Sequence, residues 1–230
     1  MRKITHLIDG KSVESTSGNL GPVYNPATGE QTGEVDLASV EEVDLAVESS
    51  KKAFQEWENV SIAKRVKLLH NFRNLVIENE TEIAARLTEE HGKVADDAKG
   101  EVARGIENIE FACGFADSLK GTYSENASTG VDVYTVRRPL GVCAGITPFN
   151  FPAMVPLWMV PNAVACGNTF VLKPSERDPS APRFLIELIQ ESGFPPGVVN
   201  LVNGDKTAVD RLLEHPDVSA ISFVGSTPIA

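Results

Sequence analysis

From Leu140 to Leu172 no side chain carries a charge, and the run stops abruptly at Lys173-Pro174-Ser175-Glu176. An uncharged stretch of more than about 18 residues ordinarily suggests a membrane span. Here Pro148, Pro152, Pro156 and Pro161 interrupt it. Each removes a backbone donor and disrupts the helical ladder, and lipid has no water to satisfy the freed groups. The stretch therefore belongs in a protein interior, as a βαβ unit. A buried parallel strand is expected over Leu140–Thr147, a helix over Pro152–Ala165 and a second strand over Thr169–Leu172. Pro152 suits the first turn of that helix and Gly167 its end.

In such a unit a ligand lies beyond the carboxyl ends of the strands and against the helix N-terminus. That brings Thr147-Pro148-Phe149-Asn150-Phe151 to one edge of a candidate site and Lys173 to Glu176 to the other. No Gly-x-Gly-x-x-Gly loop follows the first strand, so the usual phosphate cradle is missing and a different dinucleotide-binding loop is expected. Lys173 and Glu176 stand at the end of the second strand, where a nucleotide-binding unit holds the adenosine ribose. An ammonium donates and a carboxylate accepts hydrogen bonds to ribose hydroxyls; the plain alternative is a charged pair reaching from a strand end to solvent. Asn150 offers an amide N–H able to stabilise an oxyanion formed at a carbonyl, although an Asn in this setting is also an ordinary turn residue.

Elsewhere the chain alternates in the same way. Ile4–Ile8, Asp9-Gly10 and Ser12–Glu14 predict a hairpin with a type I′ turn, and Asn25–Gly29 a second turn. Three helices follow. The first opens on a Ser39/Glu42 capping box with Val43, Ala46, Val47, Phe54 and Trp57 on one face. The second starts near Ile62 with Val66, Leu69, Phe72 and Val76 on its stripe, continuing after a polar break through Ile83 and Leu87 toward Gly92. The third covers Val94–Leu119 with Ala98, Val102, Ile109, Cys113 and Ala116 inward. Arg104, between Gly100 and Gly105, reads from its neighbours as a surface ion pair with Glu101 or Glu107. Val131–Val136 alternates like a half-exposed strand, whose edge invites pairing with another chain. After the central unit come a helix over Pro182–Gln190, a strand over Val198–Val202, a helix over Asp205–Glu214 and a strand over Val218–Val224. Such alternation means an α/β chain with a parallel sheet. Gly225-Ser226-Thr227-Pro228 then supplies a close-approach glycine, capping hydroxyls and a first-turn proline, at a helix start whose amides can face a phosphate.

The net charge of −11 argues against nucleic acid or an anionic membrane as partner. Cys113, Cys143 and Cys166 show no metal spacing, cannot all pair, and sit in apolar contexts as buried small side chains. With no signal-peptide pattern at the start, a cytoplasmic setting is expected.

Pro-Phe-Asn-Phe-Pro, Lys-Pro-Ser-Glu and Phe223-Val224-Gly225-Ser226-Thr227 resemble, in order, three motifs of the aldehyde dehydrogenase superfamily. Met154–Pro161 and Glu176–Pro182 resemble the CoA-acylating methylmalonate or malonate semialdehyde dehydrogenases in particular. The resemblance runs from the first residues to Ala230 and implies the amino-terminal part of an aldehyde dehydrogenase-like fold. Residues 1–121 would form a hairpin and helical layer, 122–139 an oligomerisation arm, and 140–230 the first part of a Rossmann-type NAD-binding sheet. It implies that Asn150 lines the oxyanion hole and that the main chain of Thr147 and Phe149 flanks the cofactor. Lys173 and Glu176 would hold its ribose, with Arg177 beside the adenosine end and Gly225 and Ser226 near the pyrophosphate. Arg104 would grip the substrate's carboxylate through its planar fork.

The implied reaction is NAD-dependent oxidation of malonate or methylmalonate semialdehyde to acetyl-CoA or propionyl-CoA with loss of carbon dioxide, in a homo-oligomer. Coenzyme A would be the acyl acceptor and the nucleophilic cysteine would lie past Ala230, leaving the 230-residue chain inactive alone. Phe149 stands where the wider superfamily more often has Trp, consistent with the acylating subfamily. The rival readings are a hydrolytic aldehyde dehydrogenase and a noncatalytic nucleotide-binding fragment.

Overall fold

The computed structural model describes residues 1–227. Three short strands open the chain: β1 (Arg2–Ile4), β2 (His6–Ile8) and β3 (Lys11–Val13). Between the last two, Asp9 and Gly10 take φ angles of 53° and 72°, the paired positive values that favour Asp-Gly in a type I′ turn. β4 (Leu20–Asn25) and β5 (Glu30–Asp36) form an antiparallel pair around the Asn25–Gly29 turn, with β1 parallel along β5. The sequence pattern indicates that turn but not its flanking strands. Gly21, Pro22 and Gly33 interrupt their alternation, and they enclose only a small cluster of Ile4, Val23 and Val35.

The helical layer comprises α1 (Val40–Trp57), α2 (Ile62–Glu78), α3 (Glu80–His91), α4 (Ala95–Cys113) and the short α5 (Phe115–Ser118). Ser39 and Glu42 close the expected capping box on α1. Leu69, Phe72, Val76, Ile83, Leu87, Ala98, Val102 and Ile109 are all buried. The helix expected to run on to Leu119 instead breaks at Gly114, and that break leaves Ala116 exposed rather than inward.

An exposed hairpin follows, β6 (Tyr123–Ser128) with β7 (Val131–Tyr134). The remaining elements alternate: β8 (Val142–Ile146), α6 (Met154–Ala165), β9 (Thr169–Lys173), α7 (Ser180–Glu191), β10 (Val199–Leu201), α8 (Lys206–Glu214) and β11 (Val218–Phe223). The central sheet has the order β11-β8-β9-β10-β2-β3. Its first four strands are parallel, as alternation requires; the amino-terminal hairpin then extends the sheet antiparallel, so the whole is mixed. Successive side chains of β9 serve both faces. Phe170 and Leu172 join the core under α2, α4, α6 and α7, while Val171 joins the one under α1 and α8. Gly167 turns the chain from α6 into β9 at φ +90°, and a Cβ there would lie 2.8 Å from the Arg65 guanidinium. The helix start expected at Gly225-Ser226-Thr227-Pro228 runs outside the described residues.

Candidate cofactor and substrate site

The carboxyl ends of β8 and β9 define the site. Just past β8, the Thr147 N–H donates to the Lys173 carbonyl at 3.1 Å, carrying the pairing of the two strands one residue further. Thr147 is 3% exposed and its hydroxyl has no hydrogen-bond partner among the described residues. Pro148 to Phe151 then turns outward, leaving Phe149 and Asn150 exposed. The helix begins at Met154, two residues later than Pro152 suggests, with Ala153 at its N-cap and no capping side chain of its own.

On the other edge, Lys173 is 5% exposed, and its Nζ lies 3.5 Å from Glu176 Oε2. Burial pulls the Lys173 ammonium below the usual lysine range, opposed by the neighbouring Glu176 carboxylate. The Arg177 guanidinium lies 5.0 Å from the centre of the Phe149 ring, within the range of a cation–π contact that joins the two motifs across the site. β11 reaches the same end of the sheet. The Val224 N–H donates to the Ile146 carbonyl at 3.2 Å, so Gly225 and Ser226 emerge, exposed, beside the end of β8. Thr147, Phe149, Asn150, Lys173, Glu176, Arg177, Gly225 and Ser226 thus share one end of the parallel strands.

Arg104 stands apart, on α4. Its guanidinium is 3.8 Å from Glu107 in an exposed pair, and it lines a hollow of about 370 Å³ with Glu107, Asn108, Met154 and Trp158. Glu101, the other partner expected for it, is 3% exposed and turns inward. Glu101 Oε1 accepts the N–H groups of Ala153 at 2.8 Å and Met154 at 3.0 Å, and Oε2 pairs with Lys93 at 2.5 Å. Lys93 also donates to the Asn150 carbonyl at 2.9 Å and lies 4.0 Å from the centre of the Phe151 ring. Sequence reasoning passed over Lys93 and read Glu101 only as a surface partner of Arg104. A Lys just before a helix and a Glu within it look like surface charges, and nothing in their local spacing points to a loop some fifty residues away.

Asp178 is a second omission. It is 2% exposed, with one carboxylate oxygen unpartnered among the described residues. Burial, reinforced by the Glu90 and Glu101 carboxylates, pushes it up to about 8. Burial likewise raises Cys113 and Cys166, and lifts Cys143 to about 11, so these thiols are poor nucleophiles at neutral pH. No helix of the described residues is long and apolar enough to cross a membrane.

Known proteins are similar to this chain in sequence and in fold. The sequence model of the aldehyde dehydrogenase family matches residues 12–230. A malonate-semialdehyde dehydrogenase of Pseudomonas aeruginosa is 52% identical over 230 residues, which is 100% of this chain and 46% of that protein. The mitochondrial acylating methylmalonate-semialdehyde dehydrogenase of Arabidopsis thaliana is 48% identical over 224 residues, 97% of this chain and 37% of that one. Among solved structures, a methylmalonate-semialdehyde dehydrogenase from Oceanimonas doudoroffii superimposes with a TM-score of 0.98 at 52% identity, over 100% of this chain and 47% of that one. The chain therefore spans less than half the length of these relatives. With the match extending over nearly all of its residues, the chain belongs to the aldehyde dehydrogenase family.

Proposed function

We propose that this chain provides the NAD site and part of the substrate site of an enzyme that oxidises malonate or methylmalonate semialdehyde. The acyl group passes to coenzyme A and carbon dioxide is lost, giving acetyl-CoA or propionyl-CoA. The observation that carries this reading is the convergence of Thr147, Phe149, Lys173, Glu176 and Arg177 at adjoining strand ends. The residues fit a dinucleotide. The Thr147 hydroxyl is buried without a partner among the described residues, and the buried Lys173 ammonium has Glu176 as a side-chain partner. Together they present a donor and an acceptor suited to ribose hydroxyls. NAD, when bound, accepts the hydride released from the aldehyde carbon.

The Asn150 side-chain amide donates to the oxyanion that forms when a thiolate adds to the aldehyde. Arg104 takes the substrate's carboxylate at the mouth of its hollow. As in the aldehyde dehydrogenases this chain resembles, the attacking cysteine would lie in another part of the complete enzyme; burial raises the thiols of Cys113, Cys143 and Cys166, which fits that reading, and this chain alone should give no NADH from semialdehyde. Gly225 and Ser226 stand near the pyrophosphate. The exposed hairpin over 122–139, with Tyr123, Val131, Val133 and Tyr134 uncovered, serves as an arm that pairs with a neighbouring subunit.

The identities to relatives named as malonate-semialdehyde and acylating methylmalonate-semialdehyde dehydrogenases favour the acylating route over simple hydrolysis. Product analysis of the complete enzyme tests this: acyl-CoA should accumulate with NADH in step. Free acid released at the same rate with and without coenzyme A sinks the acylating assignment.

A further inference from the structure

We propose that Lys93 and Glu101 form a single clamp that fixes the loop carrying Asn150, and so act as positioning residues for the oxyanion-binding amide; this rests on the role given to Asn150 above. A helix leaves its first N–H groups without internal partners, and α6 has no capping side chain of its own. Glu101, reaching from α4, does that work. One oxygen accepts both the Ala153 and Met154 N–H groups, and the other holds the Lys93 ammonium. Lys93 in turn holds the loop at the Asn150 carbonyl and covers the Phe151 ring. Four of the five residues from 150 to 154 are thus gripped by one ion pair.

The pair is enclosed: the side chains of Lys93 and Glu101 are 12% and 1% exposed. Burying two charges is costly unless further hydrogen bonds complete them, and among the described residues those bonds go to the loop and to the first residue of α6. A pair present only to stabilise helix packing would have no need to engage the Asn150 carbonyl. Because that carbonyl and the first turn of α6 are both fixed, the Asn150 side chain is left with its χ rotations as its main freedom. Errors of about 1 Å in such a group cost up to a hundredfold in rate.

The test uses the complete enzyme with Lys93→Met, Lys93→Arg, Glu101→Gln, Asn150→Ala and the Lys93→Met/Asn150→Ala double variant. Lys93→Met should lower kcat roughly tenfold to a hundredfold, with KM for NAD held within about twofold. Lys93→Arg, which keeps the charge, should recover much of the loss. Glu101→Gln still accepts the two amides but releases the ammonium, and should resemble Lys93→Met, providing a second route if that variant folds poorly. Adding Lys93→Met to Asn150→Ala should cost little more, because one function has already been removed. Amide hydrogen exchange at Ala153 and Met154 should accelerate in Lys93→Met. Unchanged exchange overturns the clamp. Faster exchange with wild-type kcat, or fully additive losses in the double variant, overturns the positioning role. Faster exchange together with an undiminished Asn150→Ala enzyme retains the clamp and removes Asn150 from the oxyanion hole.

Discussion

Gly105 of α4 lies against Leu157 of α6 with no space for a methyl group between them: a Cβ at position 105 would sit 2.3 Å from Leu157 Cδ1. This close approach lets Glu101, one turn earlier on α4, reach the first amides of α6. Leu157 is 1% exposed, and its Cβ and Cγ would also lie 3.3 Å from that Cβ, so turning the Cδ1 methyl aside does not by itself clear the contact. Overpacking should cost Gly105→Ala roughly 1–3 kcal/mol, which leaves a net destabilisation of up to about 2 kcal/mol after the helix-propensity gain of about 1 kcal/mol. Gly100→Ala is the control. No atom beyond its own helix lies within 4 Å of a Cβ there, so it should stabilise by about 0.5–1 kcal/mol. Denaturant unfolding of both variants checks the contrast in sign.

At the cofactor edge, Lys173→Ala and Glu176→Ala should raise the apparent KM for NAD more than they lower kcat. On the proposed role, the ribose is held before hydride transfer as well as during it, so loss of either side chain weakens uniform binding. Steady-state kinetics at varied NAD decides this, and unchanged NAD dependence in both variants removes the pair from the site.

Arg104→Ala should selectively impair malonate semialdehyde or its methyl analogue and largely spare propanal, which has no carboxylate to grip. A charge-assisted hydrogen bond contributes roughly 1.5–3 kcal/mol, so the selective loss should be about tenfold to a hundredfold in kcat/KM. Equal effects on both aldehydes would return Arg104 to an ion pair with Glu107.

Asp178 gives the fold a pH-dependent weakness. Unfolded, its carboxyl releases a proton near the model-peptide value of 3.8; folded, it does so at about 8. Between these values the folded state binds more protons than the unfolded one, so stability falls as pH rises through the window and levels off above it. Asp178→Asn, similar in shape and uncharged, should stabilise by roughly 1–3 kcal/mol at pH 8 and by little near pH 4. Thermal melts of both proteins across that range check the trend, and a stability gain independent of pH would contradict it.

The elements legible in the sequence are those whose cause is local. Asp9-Gly10, the Ser39/Glu42 box and Gly167 each impose a backbone geometry on their own neighbours, and each takes the expected form. Thr147 and Lys173 followed from the βαβ pattern, since strand ends in a parallel sheet converge whatever their side chains. What stayed hidden depends on distant parts of the chain. β4 and β5 lack a regular apolar alternation. Glu101 looked like a partner for Arg104, three residues along the same helix, because its true partners are the Ala153 and Met154 amides of another element. Asp178 carries no local sign of burial, since its enclosure is made by elements brought together only in the fold.

The order of the central sheet also has a consequence for synthesis on the ribosome. β2 pairs with β10 through Leu7 and Leu201, so the first hairpin finds its neighbour only after nearly the whole of this chain has been made. At roughly 5–20 residues per second, that delay is about 10–40 s. During this time the Leu7 and Ile8 side chains, both buried in the finished structure, remain uncovered by β10. The hairpin can therefore join the sheet only once Val199–Leu201 has been made.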